Sequence, residues 1–147
     1  MNNKKGFTLV ELVIVIAVIA ILAGVMIGTF ATVVDSANKS KKLQEWRAAV
    51  DAAYLEYVAN HNEEPTVARF DGESIEFISE TDQQTGDYIL STTSGTLYVE
   101  LAEGVYLIKN ASGFRCLTGS VENNLLTFEG GTATLATQVP APTNPWD

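Results

Sequence analysis

The sequence predicts an α+β fold, a long N-terminal helix packed on a small antiparallel β-sheet. Three observations carry this. Leu12 to Val34 is a run of 23 residues without a charge. From Asp35 to Asn60 there is no glycine or proline, and apolar residues recur every three or four positions. Beyond Pro65 the pattern changes to short alternating segments separated by turn residues, the signature of strands.

The apolar run comes first in the chain and is the most informative. At ~1.5 Å per residue it spans about 34 Å as a helix, enough to cross a hydrocarbon core of ~30 Å. A cleaved secretory signal would have a shorter apolar region followed by a small-residue cut site. A plain single-pass anchor fits the length but leaves Glu11, near the start of the run, unexplained. An unpartnered carboxylate at depth costs about 3 kcal/mol. Glu11 can avoid that by snorkelling to the interface, or it can have a partner. No basic side chain occurs between Lys5 and Lys39, so a free α-amino group, created by a cut just before Phe7, is the natural candidate.

Lys4-Lys5-Gly6-Phe7-Thr8-Leu9-Val10-Glu11-Leu12 resembles the prepilin cleavage and methylation motif of type IV pilins and related pseudopilins. The match covers the basic leader, the glycine before the cut, the phenylalanine after it and the glutamate as fifth residue of the product. The resemblance implies a pilin-like fold and cleavage between Gly6 and Phe7 by a prepilin peptidase on the cytoplasmic side. It further implies methylation of the Phe7 amine and docking of subunits through Glu11 and a terminal amine. Loss of residues 1–6 removes Lys4 and Lys5, leaving an apolar helix end that can exchange lipid contact for helix contact. Charge flanking the run is nearly even, with Lys4 and Lys5 before it and Lys39, Lys41 and Lys42 after it. The resemblance settles the orientation as a cytoplasmic leader and an external C-terminal domain.

Gly24 and Gly28 form a GxxxG spacing, which reads as a close helix contact or as ordinary tolerance of glycine in membrane helices. They also weaken the helix locally. Many pilins carry a proline in this region; here the first proline is Pro65. Residues 7–34 are thus assigned to a membrane or filament-core half of the helix and 35–60 to an amphipathic half. In the latter, Leu43, Trp46, Val50, Ala53, Tyr54, Tyr57 and Val58 form one apolar stripe, better suited to a sheet than to a coiled coil. Asn60, His61, Asn62 and Pro65 end the helix.

Residues 61–129 read as an antiparallel β domain. A polar connection leads to a strand at Ser74–Ser79, a turn at Gln83–Asp87 and a short strand at Tyr88–Leu90. The clearest signal is Thr96–Leu101 and Val105–Lys109 around Ala102-Glu103-Gly104, a tight hairpin. Asn110–Gly113 then turns into Phe114–Leu117, and a further strand lies at Leu125–Phe128. Residues 130–147, with Pro140, Pro142, Pro145 and Trp146, read as an extended or mobile tail.

Composition excludes several functions. The formal net charge is −9, and from Ala48 onward 15 acids face three bases, Arg69, Lys109 and Arg115. Such a surface repels phosphate, which disfavours direct nucleic-acid binding. With one histidine, His61, and one cysteine, Cys116, there is no zinc ligand set, no disulfide and no supported catalytic triad. Cys116, beside Phe114 and Leu117, reads as a core residue, and no enzyme activity is expected. Glu80, Asp82 and Asp87 around Gly86 offer calcium ligands but lack EF-hand spacing, and a solvated acidic turn is the preferred reading. Asn38-Lys39-Ser40 and Asn110-Ala111-Ser112 match a common glycosylation pattern. The basic run Lys39-Ser40-Lys41-Lys42 fits lipid headgroups, with DNA contact a lesser reading.

The sequence therefore points to a structural subunit of a type IV pilus or pilus-like filament. It would be membrane-bound before assembly and at the cell surface, with other pilin subunits, after it. The alternatives are a pseudopilin of a type II secretion or DNA-uptake apparatus, and a membrane-anchored β domain that never polymerises.

Overall fold

The computed structural model describes residues 6–91 and 95–144. The leader lysines Lys4 and Lys5 and the tail residues Pro145 and Trp146 lie outside the described residues. The chain divides between Asn38 and Lys39 into two compact units.

A single helix, α1, runs from Leu9 to His61, within two residues of the expected limits. It passes through Gly24 and Gly28 without interruption. At its end Asn62 adopts a left-handed φ of 54°, and its N–H donates to the Val58 carbonyl at 2.8 Å. This is the αL cap that asparagine tolerates better than most residues. The His61 ring stacks on Tyr57 at 4.2 Å, and the Tyr57 hydroxyl donates to Glu63 at 3.1 Å.

In the first unit every described residue is exposed. The second unit holds the hydrophobic core and two sheets. Strands β1 (Val67–Phe70), β2 (Ile75–Ile78), β3 (Tyr88–Ile89) and β10 (Thr137–Gln138) form a four-stranded antiparallel sheet in the order β10-β3-β1-β2. Strands β4 (Leu97–Ala102), β5 (Val105–Asn110), β6 (Gly113–Thr118), β7 (Ser120–Glu122), β8 (Leu125–Phe128) and β9 (Gly131–Leu135) form a six-stranded sheet, ordered β6-β5-β4-β9-β8-β7. All its pairs are antiparallel except β4 with β9.

The expected hairpin is present: β4 and β5 are joined by Glu103-Gly104, where Gly104 supplies the left-handed φ of 75° that the tight turn needs. The amphipathic stripe also forms as expected. Val50 and Tyr57 are buried, and Leu43, Trp46, Ala53 and Tyr54 pack with Ala68 and Phe77 of the small sheet and Val99 and Leu107 of the large one. Trp46 meets the edge of Phe70 at 5.6 Å. Cys116 is buried in the same cluster, and burial pushes its thiol up to about 12, with the Asp51 charge adding to the rise.

Four strands depart from the sequence reading. The stretch read as a polar connection contains β1, which sits between β2 and β3 with Val67 and Ala68 buried. Its four residues are too few to show alternation. β7 is short and fully exposed; it joins β8 through Asn123-Asn124, both with positive φ, the geometry of a type I′ turn. The tail assigned to 130–147 is paired over β9 and β10, so this segment is strand rather than free chain. Its core contacts are alanines, Ala133 and Ala136, whose small side chains give little hydrophobic pattern.

The six-stranded sheet curls on itself. β6 and β7 lie at opposite edges, yet only Gly119 separates them in sequence. Two residue steps reach at most ~7 Å, so the edges must approach each other. Accordingly Leu126 and Ala133, on β8 and β9, pack with Tyr98, Tyr106, Ile108 and Leu117 to enclose a second core. Gly119 forms the corner. A Cβ there would stand 2.6 Å from the Thr127 carbonyl oxygen and 2.8 Å from Leu126, so only glycine fits. Gly119→Ala is expected to destabilise the chain by about 1–3 kcal/mol, the usual cost of overpacking, as a lower urea midpoint in detergent solution.

Candidate assembly surface

The first unit offers a surface rather than a pocket. Phe7 is 93% exposed, and Gly6, Phe7 and Thr8 lie outside the helix. The Gly6–Phe7 peptide is therefore accessible, and a Cβ at Gly6 would touch nothing.

Thr8 and Glu11 form a reciprocal cap on α1. The Glu11 N–H donates to the Thr8 hydroxyl at 3.3 Å, and the Thr8 N–H donates to Glu11 Oε2 at 3.2 Å. This capping box satisfies amide groups that the first turn of any helix leaves open. A carboxylate in the first turn also complements the positive end of the helix dipole. The sequence reading passed over this role, although Thr-x-x-Glu directly before an apolar run is its signal. Glu11 thus has a neutral partner in the uncut chain, but one that leaves its charge unbalanced.

From Leu12 to Val34 the surface is apolar on every side, with Leu12, Ile16, Ile19, Leu22, Ile27 and Phe30 each more than half exposed. A helix apolar all round belongs in lipid or inside an assembly. This helix alone, among the described residues, is long and apolar enough to cross a membrane. Its hydroxyls are satisfied internally. Thr29 donates to the Met26 carbonyl at 3.0 Å and Thr32 to the Thr29 carbonyl at 2.8 Å, as a polar group in a dry environment requires. At Gly24 and Gly28 an added Cβ would meet nothing within 4 Å, so packing within the chain does not account for either glycine.

The acidic turn is arranged differently. Glu80 accepts from the Thr66 hydroxyl at 2.9 Å and Asp82 from the Ser79 hydroxyl at 2.7 Å. Asp87 is 4% exposed and takes both Arg69 Nε and Nη2 at 3.0 Å, together with the Gln84 N–H at 2.6 Å. Burial opposes ionisation of Asp87, but the Arg69 bonds, the Gln84 amide and the Arg69 charge outweigh it and hold the carboxyl below the ordinary range. Among the described residues no group of three or more His, Cys, Asp or Glu side chains is placed to hold a metal ion. Asp87 is a structural ion-pair partner that locks β3 to β1.

The comparisons with known proteins agree with the geometry. Residues 1–27 match the family model described as the prokaryotic N-terminal methylation motif. The chain is 30% identical over 128 residues to fimbrial protein Q of Moraxella bovis, covering 85% of this chain and 71% of that protein. It is 41% identical over 59 residues to the type IV major alpha-pilin of the same organism, covering 38% of this chain and 37% of the relative. No solved structure matches significantly. A methylation motif heading an exposed apolar helix, an α+β domain behind it and similarity across most of a fimbrial protein lead to one conclusion: this chain belongs to the type IV pilin family of structural subunits.

Proposed function

We propose that the chain is the precursor of a filament subunit, cut between Gly6 and Phe7 by a prepilin peptidase and methylated at the Phe7 amine. It then polymerises through the apolar part of α1. The single observation that carries this reading is that Leu12–Val34 is exposed on every side while Glu11, at its head, is the one charged residue from Leu9 to Val34. Such a surface needs lipid before assembly and neighbouring helices after it. In the filament, Glu11 and the Phe7 amine of a neighbouring subunit offset each other's charge, which an unpaired ion in a dry core could not do. The names of the relatives favour a pilus over a secretion or DNA-uptake filament.

The cut is tested at Gly6. In Gly6→Val a branched side chain stands beside the peptide to be cleaved, and the chain is expected to stay at full length in the membrane and be absent from sheared filaments. Immunoblots of membrane and sheared fractions measure this. Filaments built from uncut chain would contradict the proposal.

A further inference from the structure

The C-terminal segment ties the two sheets together. β9 lies beside β4 in the six-stranded sheet and β10 beside β3 in the four-stranded one, with only Ala136 between them. Ala136 is buried, but Thr137 and Gln138 of β10 are exposed and Val139 is half-buried. Little apolar surface therefore holds β10 in place. Hydrogen bonds to the turn that precedes β3 hold it instead. The Gly86 N–H donates to the Val139 carbonyl at 3.0 Å, the Val139 N–H to the Asp87 carbonyl at 2.8 Å and Gln138 Nε2 to the Gly86 carbonyl at 3.0 Å. No intramolecular disulfide can reinforce this end, because Cys116 is the single cysteine.

The turn itself has little else to anchor it. Gln83, Gln84 and Thr85 are exposed, and Asp87 is its buried side chain. The Asp87 carboxylate takes Arg69 Nε and Nη2 and the Gln84 N–H, while the Asp87 N–H donates to the Gln84 carbonyl at 3.1 Å. Segments that bury few apolar contacts open at a lower free energy than the core around them. We infer that the Arg69–Asp87 pair is the keeper of a C-terminal latch: the turn at 84–87 and the strap at 137–139 open together, as one unit, while the rest of the domain stays folded. Breaking the pair loosens the turn, and the turn is what the strap is bonded to. The pair thus does more than join β3 to β1, because it sets how often the C-terminal end leaves the domain.

Hydrogen exchange of the full chain in detergent, followed by NMR, tests the latch. The amides to compare are Gly86 and Val139, which the latch protects, and Leu107 on β5, which lies between β4 and β6. In the wild type Gly86 and Val139 are expected to exchange at one common opening free energy, below that of Leu107. Asp87→Asn should speed both latch amides roughly tenfold or more, the scale of a lost hydrogen bond to a charged group. Gln138→Ala, at an exposed position where folding is not at risk, should speed them roughly fivefold. Gly119→Ala supplies the contrast: it strains the larger sheet, so Leu107 should exchange roughly tenfold faster while the latch amides keep their wild-type rates. Latch amides that follow Leu107 in Gly119→Ala would show that the strap opens only with the whole domain, and would overturn the inference. So would a Val139 amide unprotected in the wild type, or latch rates that Asp87→Asn leaves unchanged.

Discussion

Glu11→Gln is expected to insert into the membrane normally and to enter filaments at a level reduced roughly 100-fold, the scale set by leaving a buried charge unpaired. The substitution removes the charge but keeps an oxygen able to accept the Thr8 N–H, so the cap on α1 survives. Thr8→Ala makes the opposite change. It deletes the hydroxyl that accepts the Glu11 N–H at 3.3 Å and leaves the carboxylate in place. Loss of an N-cap weakens a helix end modestly, and in a helix of 53 residues that affects only the first turn. Thr8→Ala filaments should therefore be recovered at near wild-type yield. The two variants separate capping from charge pairing, and shearing followed by quantitative immunoblotting reads both. Normal assembly of Glu11→Gln would show that the charge is dispensable.

Arg69→Met is expected to destabilise the β domain more than Asp87→Asn does. Asp87 is almost fully buried, whereas the Arg69 side chain is 33% exposed. Without its partner, Arg69 can turn to water, so Asp87→Asn should cost about 1.5–3 kcal/mol, the range for a hydrogen bond to a charged group. Without Arg69, the Asp87 carboxylate is stranded with the Gln84 amide and must take up a proton or water. Urea unfolding of the two variants gives the order directly. The pair also sets a pH dependence. Because the folded pKa of Asp87 is depressed, its contribution is fully present above the unfolded value of ~3.9 and is lost as pH falls through the folded value. Wild-type chain should weaken below about pH 4, and that part of the acid sensitivity should vanish in Asp87→Asn.

The parts legible in the sequence were those with a strong periodic or punctuated pattern. The long helix, its inward stripe and the Glu103-Gly104 hairpin follow from the 3.6-residue period, the absence of breakers and a turn glycine. β1 was not legible because its four residues are too few to alternate, and β9 and β10 because the burial of their segment comes from the small residues Ala133 and Ala136 and from pairing with β4 and β3, far away in sequence. The parallel β4–β9 pair has no local signature at all. At the assembly surface, the methylation motif and Glu11 are visible in the sequence, whereas the Thr8–Glu11 cap is masked by the unbalanced charge of the carboxylate, which points first to a cationic partner. The acidic turn was read as solvated, which holds for Glu80 and Asp82 but not for Asp87, which is buried against Arg69, 18 positions earlier in the chain.

The proposed working molecule begins at Phe7, with its new amine available to Glu11 of a neighbour. Mass spectrometry of the N-terminal peptide from filaments sheared off cells tests it most directly. The expected species starts at Phe7 and carries one methyl group on its α-amine. Recovery of only the full-length chain starting at Met1, retained in the membrane fraction and absent from any filament, would contradict the account.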